Sequence, residues 1–384
     1  MYSIIDFSKM IADNTRTTAY TLALKELIHP ESVVLDLGTG TGFFALYACQ
    51  LGARKVYCIE LNEAIGVARE MALLNGYEDQ IIFIEDISTQ VDLPEKVDLI
   101  ISDLRGILPL YHQHIPTIID ARTRFLRPEG QLIPQQDQLW AAVVEAPTLY
   151  EDYDQPWGNE DYGLNMVASR KRTVNSWGRG EAQISQDKFV TIPQSWGVLD
   201  YKTIENANIQ AELVWKVTRT ALAHGISAWF EATLYTKINY STAPGKKPLV
   251  YGNAFFPWEF PVDLVEGDRV CVSFRANLVG NSYVWRWDTQ VFDRCDSKKI
   301  KANFRQSTFY SKPLSLNNLR KSSENYLPSL NNSGEIDLFI LENMHSQFPL
   351  KAIATKLFKQ FPHSFRSYEQ AINHVGLLFQ RYSK

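Results

Sequence analysis

The stretch VVLDLGTGTGFF, residues 33–44, restricts the fold more than any other segment of this chain. VVLDL runs without alternation into Gly38, Gly40 and Gly42, and FFALYACQLG follows with helical character. An unbroken apolar strand is one buried on both faces, inside a parallel sheet covered by helices. The glycines allow a tight turn and close approach of a ligand to the backbone. The flanks repeat the alternation. RTTAYTLALKELI reads as a helix, KVYCIE as a second strand, NEAIGVAREMALLNG as a helix closed by Gly76, and IIFIED and VDLIIS as further strands. This order predicts an α/β Rossmann-like domain over residues 1–135.

The character then changes. All the tryptophans lie from Trp140 onward. LWAAVVEA, AELVWKVTRTAL, ISAWFEATLYTKI, RVCVSFRANLV and SYVWRWDTQVF are strand-like runs separated by polar or Gly/Pro turns. They predict an antiparallel barrel or sandwich over 136–310. Residues 147–190 lack a period and predict an excursion from it. Residues 311–333, rich in Ser, Asn and Leu, read as a linker. Residues 334–384 carry three amphipathic helical patterns.

Composition narrows the function. A net charge of −4 with no Lys/Arg stripe argues against a nucleic-acid partner. No apolar run reaches the roughly 18 residues of a membrane span, and the N-terminus lacks a signal-peptide pattern. Cys49, Cys58, Cys271 and Cys295 form no CxxC pair, which predicts reduced thiols in a cytoplasmic protein and no metal site.

Glu60 ends the second strand about twenty residues after the glycine turn, where an acid accepts hydrogen bonds from ribose hydroxyls. The dinucleotide fingerprint is GxGxxG, whereas this chain has GTGTG with Asp36 two positions before the first glycine. An acid facing the turn disfavours a pyrophosphate and suits a cationic amino group. S-adenosyl-L-methionine has an amino group, a sulfonium and no phosphate. Arg16 is available for its carboxylate. Asp86, ending the third strand, is available for the adenine amino group or as a loop cap.

A second group lies in ISDLRGILPLYHQH, residues 101–114. Asp103 ends a strand at the carboxyl edge of the sheet, where ligands bind in open α/β folds. His112 is a candidate general base near neutral pH. His114 reads as structural or exposed, and His224 as a packed core histidine. An Asp/His pair suits an imidazole, amine, amide or hydroxyl acceptor at least as well as a guanidinium.

These residues carry a family resemblance. MIADNTRTTAY through IELN resembles the class I methyltransferase core of protein arginine methyltransferases, with a helix bearing Met10, Asp13 and Arg16 before the glycine motif. AHGISAWFEATL, with His224, Gly225, Trp229 and Phe230, is similar to a barrel strand of that family, and STAPGKKPL to the segment before its Thr-His-Trp loop. The resemblance covers residues 5–305. It implies a seven-stranded methyltransferase domain, a β-barrel, a substrate groove between them, and a homodimer through an arm for which 147–190 is available. It also implies a catalytic loop with two glutamates. Asp103 stands at the first position and His112 at the second, Gly106 and Tyr111 match neighbours, and Val250–Gly252 stands where Thr-His-Trp would be. Asp13 is implied as the partner that orients His112. The activity implied is S-adenosyl-L-methionine-dependent methyl transfer to a side chain of a protein or precursor peptide, on arginine or another nitrogen or oxygen nucleophile. The residues leave open a small-molecule N- or O-methyltransferase and a non-catalytic cofactor-binding scaffold. The tail is similar to small winged-helix peptide-recognition modules; a packing appendage or dimer contact is the alternative.

Overall fold

The structure is a computed structural model and describes residues 2–158, 163–180, 184–296 and 298–383. It opens with two helices, α1 (Ile4–Ala12) and α2 (Asn14–Leu27). Asp13 separates them. Its carboxylate accepts the Arg16 N–H at 3.1 Å, while its own N–H closes α1 on the Lys9 carbonyl. The single helix expected across Met10, Asp13 and Arg16 is therefore broken, because Asp satisfies orphan donors better as an N-cap than it fits a helix interior.

The first domain continues as β1 (Val33–Leu37), α3 (Phe43–Gln50), β2 (Lys55–Ile59), α4 (Ala64–Asn75), β3 (Ile81–Ile84), β4 (Val97–Ser102), α5 (His114–Phe125) and β5 (Leu126–Ile133). The strands form one parallel sheet in the order β3-β2-β1-β4-β5. Every residue of β1 is buried, as its unbroken apolar pattern requires. Five strands are present among the described residues, not seven. After β5 the chain passes straight into the second domain instead of returning to the sheet edge.

That domain comprises β6 (Gln136–Val144), α6 (Pro147–Gly158), α7 (Val167–Thr173), β7 (Gly178–Arg179), β8 (Gln194–Asp200), β9 (Ile209–Lys216), β10 (Ala221–Tyr235), β11 (Ile238–Ser241), β12 (Ala254–Leu264), β13 (Arg269–Val279), β14 (Ser282–Phe292) and β15 (Ile300–Phe304). One antiparallel sheet runs β7-β12-β10-β6-β8, with β11 on β10; the other runs β15-β14-β13-β9. The tryptophan-rich composition fills the space they enclose. Trp215, Trp258, Trp285 and Trp287 are fully buried, and Phe256 meets Phe274 and Trp287 edge-on at 4.9 and 5.3 Å. The Trp287 indole N–H stays satisfied by donating to the Pro257 carbonyl at 3.0 Å. The excursion within 147–190 holds α6, α7 and β7; its residues 159–162 and 181–183 lie outside the described residues.

After α8 (Thr308–Ser311), a second compact unit spans Leu314–Lys384. The segment read as a linker contains a short helix, α9 (Leu316–Lys321). Then come α10 (Asn332–His345), α11 (Leu350–Gln360) and α12 (Tyr368–Tyr382), which bury Ile336, Ile340, Ile353, Leu357 and Val375 against one another. No strand is assigned in this unit among the described residues, so it is helical and lacks the wing of a winged-helix module.

Candidate active site

β1 and β4 are neighbours in the sheet, and the strand order reverses direction between them. Such a switch point leaves a crevice at the carboxyl ends of the strands. A cavity of 690 Å³ opens here, with Arg16, Asp36, Glu60, Asp103, His112, His114 and Tyr251 in its wall.

The glycine turn forms one part. Gly42 is the left-handed N-cap of α3, at φ +81°, and a Cβ there would lie 2.8 Å from the Ala68 Cβ. Gly40, at φ +55°, donates its N–H to Glu60 Oε2 at 2.9 Å, and Asn62 donates its N–H to Oε1 at 2.8 Å. The Glu60 carboxylate is thereby fixed in direction, and each oxygen keeps a lone pair for a further donor. Asp36 is buried and accepts the Thr39 hydroxyl at 2.6 Å and the Ala45 N–H. Burial pushes its carboxyl up to about 6. Phe43 and Phe44 add apolar wall. Asp86 does not join this group. It is not among the residues that line the cavity, and its carboxylate caps the Ile87 N–H at 2.7 Å, the loop role that the sequence offered as the alternative to adenine binding.

The end of β4 forms the other part. Asp103 Oδ2 accepts the Arg16 Nε–H at 2.7 Å and the Tyr251 hydroxyl at 2.5 Å, and pairs with Arg16 Nη2 at 2.5 Å. Oδ1 accepts the Arg105 Nε–H at 3.1 Å. Burial pushes this carboxyl up, but the Arg16 and Arg105 guanidiniums outweigh it and hold it down at about 2. Arg16 also donates through Nη1 to the Met10 carbonyl at 3.1 Å. Of its five N–H groups, not all are taken.

Arg105 was missed in the sequence. Its side chain is wholly buried. Nη1 donates to Asp137 Oδ1 at 2.9 Å, and Nη2 to the hydroxyls of Tyr20 and Tyr240 at 2.5 and 2.6 Å. The guanidinium lies 5.4, 5.6 and 5.6 Å from the ring centres of Phe230, Tyr240 and Tyr251, within cation–π range. The only local hint was an arginine two residues after a strand-ending acid.

The chain of contacts continues. The Tyr201 hydroxyl donates to Asp137 Oδ2 at 2.5 Å and lies 3.0 Å from His114 Nε2. With the tyrosine proton on Asp137, His114 Nε2 must be the protonated nitrogen, and Nδ1 is left bare. It has no partner among the described residues. His114 is buried, and that burial, with Arg105 nearby, pushes its imidazole down to about 3. His224 is the packed core histidine expected, with Nδ1 accepting the Ala146 N–H at 3.2 Å.

His112 sits on the exposed edge of the cavity at φ +42°. Its Nδ1 is 2.8 Å from the Asn281 carbonyl, at the tip between β13 and β14. A carbonyl only accepts, so Nδ1 carries the hydrogen and Nε2 of the neutral ring is free to take one. Gln113 braces the same tip through the Gly280 carbonyl at 2.7 Å. Asp13 does not orient His112. Its oxygens accept the Arg16 N–H, which caps α2, and the Val250 N–H at 2.7 Å, while the His112 ring is oriented by the Asn281 carbonyl.

A crevice at the β1/β4 switch point, a carboxylate after β2 and a following antiparallel barrel define a class I methyltransferase domain joined to a β-barrel. Comparison with known proteins narrows this. The family profile for ribosomal protein L11 methyltransferase (PrmA) matches residues 14–134. The profile for the PRMT5 oligomerisation domain matches residues 136–336, more than half of the chain. The probable protein arginine N-methyltransferase 6 of Arabidopsis thaliana is 30% identical over 231 residues, covering 58% of this chain and 53% of that protein. Protein arginine N-methyltransferase 1 of Schizosaccharomyces pombe is 28% identical over 246 residues, covering 62% and 71%. The crystal structure of Arabidopsis thaliana protein arginine methyltransferase 10 superposes with a TM-score of 0.69 at 22% identity, over 79% of this chain and 97% of that one. The Trypanosoma brucei PRMT1 enzyme–prozyme heterotetrameric complex with AdoHcy gives 0.70 at 22% identity, over 78% and 96%. The chain belongs to the protein arginine methyltransferase family. It spans about half the length of the first of these relatives.

Proposed function

We propose that this chain binds S-adenosyl-L-methionine and directs its methyl group to a side-chain nitrogen or oxygen of a protein or peptide. One observation carries the reading: the glycine turn, Asp36 and Glu60 share a single cavity wall with Arg16, Asp103 and His112. The donor set fits the cofactor. Glu60 has free lone pairs for two ribose hydroxyls, Asp36 is an acid suited to an amino cation, and Arg16 retains N–H groups for a carboxylate. The bound cofactor supplies an already activated methyl, which leaves the protein to align a nucleophile and remove its proton. His112 Nε2 is the group free to receive that proton. Protein substrates are supported by the names of the relatives, which are arginine methyltransferases.

The same reading places the protein in the cytoplasm, supported by four cysteines that are all free. It includes a homodimer through the segment bearing α6 and α7, as the family resemblance implies. Calorimetric binding of S-adenosylhomocysteine tests the first half, with Glu60→Ala expected to lose at least tenfold in affinity. Mass spectrometry after incubation with labelled S-adenosyl-L-methionine and a peptide and lysate panel tests the second. Absence of binding to the wild type would sink the proposal.

A further inference from the structure

We infer that Arg105 closes the acceptor end of the cavity to cationic side chains, so that the acceptor is a neutral nitrogen or oxygen nucleophile. This narrowing rests on the methyl-transfer reading above.

Recognition of an arginine side chain calls for a carboxylate to grip its N–H groups, with hydroxyls or aromatic faces around it. Four carboxylates line the cavity among the described residues: Asp6, Asp36, Glu60 and Asp103. Asp6 closes the capping box of α1 with Ser3. Asp36 and Glu60 belong to the glycine turn, where the reading above assigns them to the cofactor. Asp103 alone stands at the end of β4, and it is shared between Arg16 and Arg105. Everything a guanidinium site offers is present there, namely two carboxylates, two tyrosine hydroxyls and aromatic faces, and the chain's own Arg105 already fills it.

Charge points the same way. Two buried guanidiniums, Arg16 and Arg105, face two buried carboxylates, Asp103 and Asp137. The cluster is balanced, so a third cation would stand there uncompensated. A neutral side chain brings no charge to bury. One hydrogen-bond acceptor does remain on the cavity wall, Nε2 of the exposed His112, whereas the bare Nδ1 of His114 is buried. It suits the N–H or O–H of an imidazole, amide or hydroxyl. In the transfer, the acceptor's lone pair forms the new bond to the methyl carbon. The carbon–sulfur bond breaks with its electron pair on sulfur, which leaves as a thioether. The acceptor's proton goes to His112 Nε2, and that exposed ring returns it to solvent.

The test uses the full chain and peptides of one framework whose central residue is Arg, Lys, His, Gln or Ser. Wild-type protein with labelled S-adenosyl-L-methionine should label a neutral residue at least tenfold faster than Arg or Lys, as read by mass spectrometry. The double variant Arg105→Met/Asp137→Asn removes one buried charge of each sign. By fluorescence anisotropy with S-adenosylhomocysteine present, it should bind the Arg peptide at least tenfold more tightly than wild type. Arg labelling by wild type at the rate of the neutral peptides would overturn the inference, and that arm needs no variant to fold. Equal Arg-peptide affinity in wild type and a folded double variant would overturn it as well. Tighter binding by the double variant without transfer to any peptide would support the closure by Arg105 and overturn the methyl-transfer reading with its neutral acceptor.

Discussion

The glycine turn and the end of β4 face the same cavity, yet they hold their carboxylates in opposite ways. Glu60 receives one backbone N–H on each oxygen and stops there. Asp103 receives two arginines and a tyrosine hydroxyl, and its neighbour Arg105 draws Asp137, Tyr20 and Tyr240 into the same network. The first arrangement orients a group and leaves it to be completed from outside. The second completes itself. A site of the first kind is read by what it binds, and one of the second kind by what its loss does to the fold.

The largest effect should follow from Asp103→Ala, which strands the buried Arg16 guanidinium and leaves Arg105 with Asp137 alone. Removing one partner of a buried ion pair costs about 3–5 kcal/mol, measurable by urea unfolding. A loss below about 1 kcal/mol would show that the network does not anchor the domain interior. The acid side checks the same group. Its carboxyl is held down at about 2 from an ordinary 3.8. Its contribution, on the order of 2 kcal/mol, is therefore complete above about pH 3.8 and is lost as pH falls toward 2.

On the glycine side, Gly42→Ala forces a side chain into φ +81° against Ala68. A loss of about 1–3 kcal/mol is expected in thermal or urea unfolding. Asp36 should give a milder, pH-dependent signature. Burial raises its carboxyl to about 6, so below that pH it is protonated before ligand arrives. Binding an amino cation favours the ionised form, so binding then releases a proton. Affinity for S-adenosylhomocysteine should fall up to about tenfold per pH unit below about 6, by calorimetry. Asp36→Asn should flatten that profile; a slope that survives would assign it to another group. The smallest effect belongs to Asp86→Ala. Because Asp86 is not part of the cavity wall, affinity should change by less than about twofold, within the range of ordinary surface substitutions.

The glycine side was legible because its signals are local. An unbroken apolar strand, positive-φ glycines and an acid after the next strand all lie within residues 33–60. The barrel was legible through alternating patterns and tryptophan content, and the tail through helical period. The β4 side was not, because its partners are remote in sequence. Arg105 owes its role to Tyr240, 135 positions away, and to Asp137, 32 away. Nothing in the spacing of ILPLYHQH separates exposed His112 from buried His114. Asp13 went wrong for a related reason: its second oxygen serves the Val250 N–H, 237 positions away, and the His112 ring is held by the likewise remote Asn281 carbonyl. Strand number failed as well, since the departure of the chain after β5 is a decision of tertiary topology.

The tip between β13 and β14 holds one further lesson, for those who would engineer this scaffold. Hairpin tips are usually where tags, insertions and circular permutations are tolerated. Here the Asn281 carbonyl dictates the tautomer of an imidazole 169 positions upstream. A lengthened turn would keep every strand in register, express well and melt normally, and would still present His112 with its hydrogen on either nitrogen. Grafting at Gly280–Asn281 would then yield a sound protein with a misassigned proton.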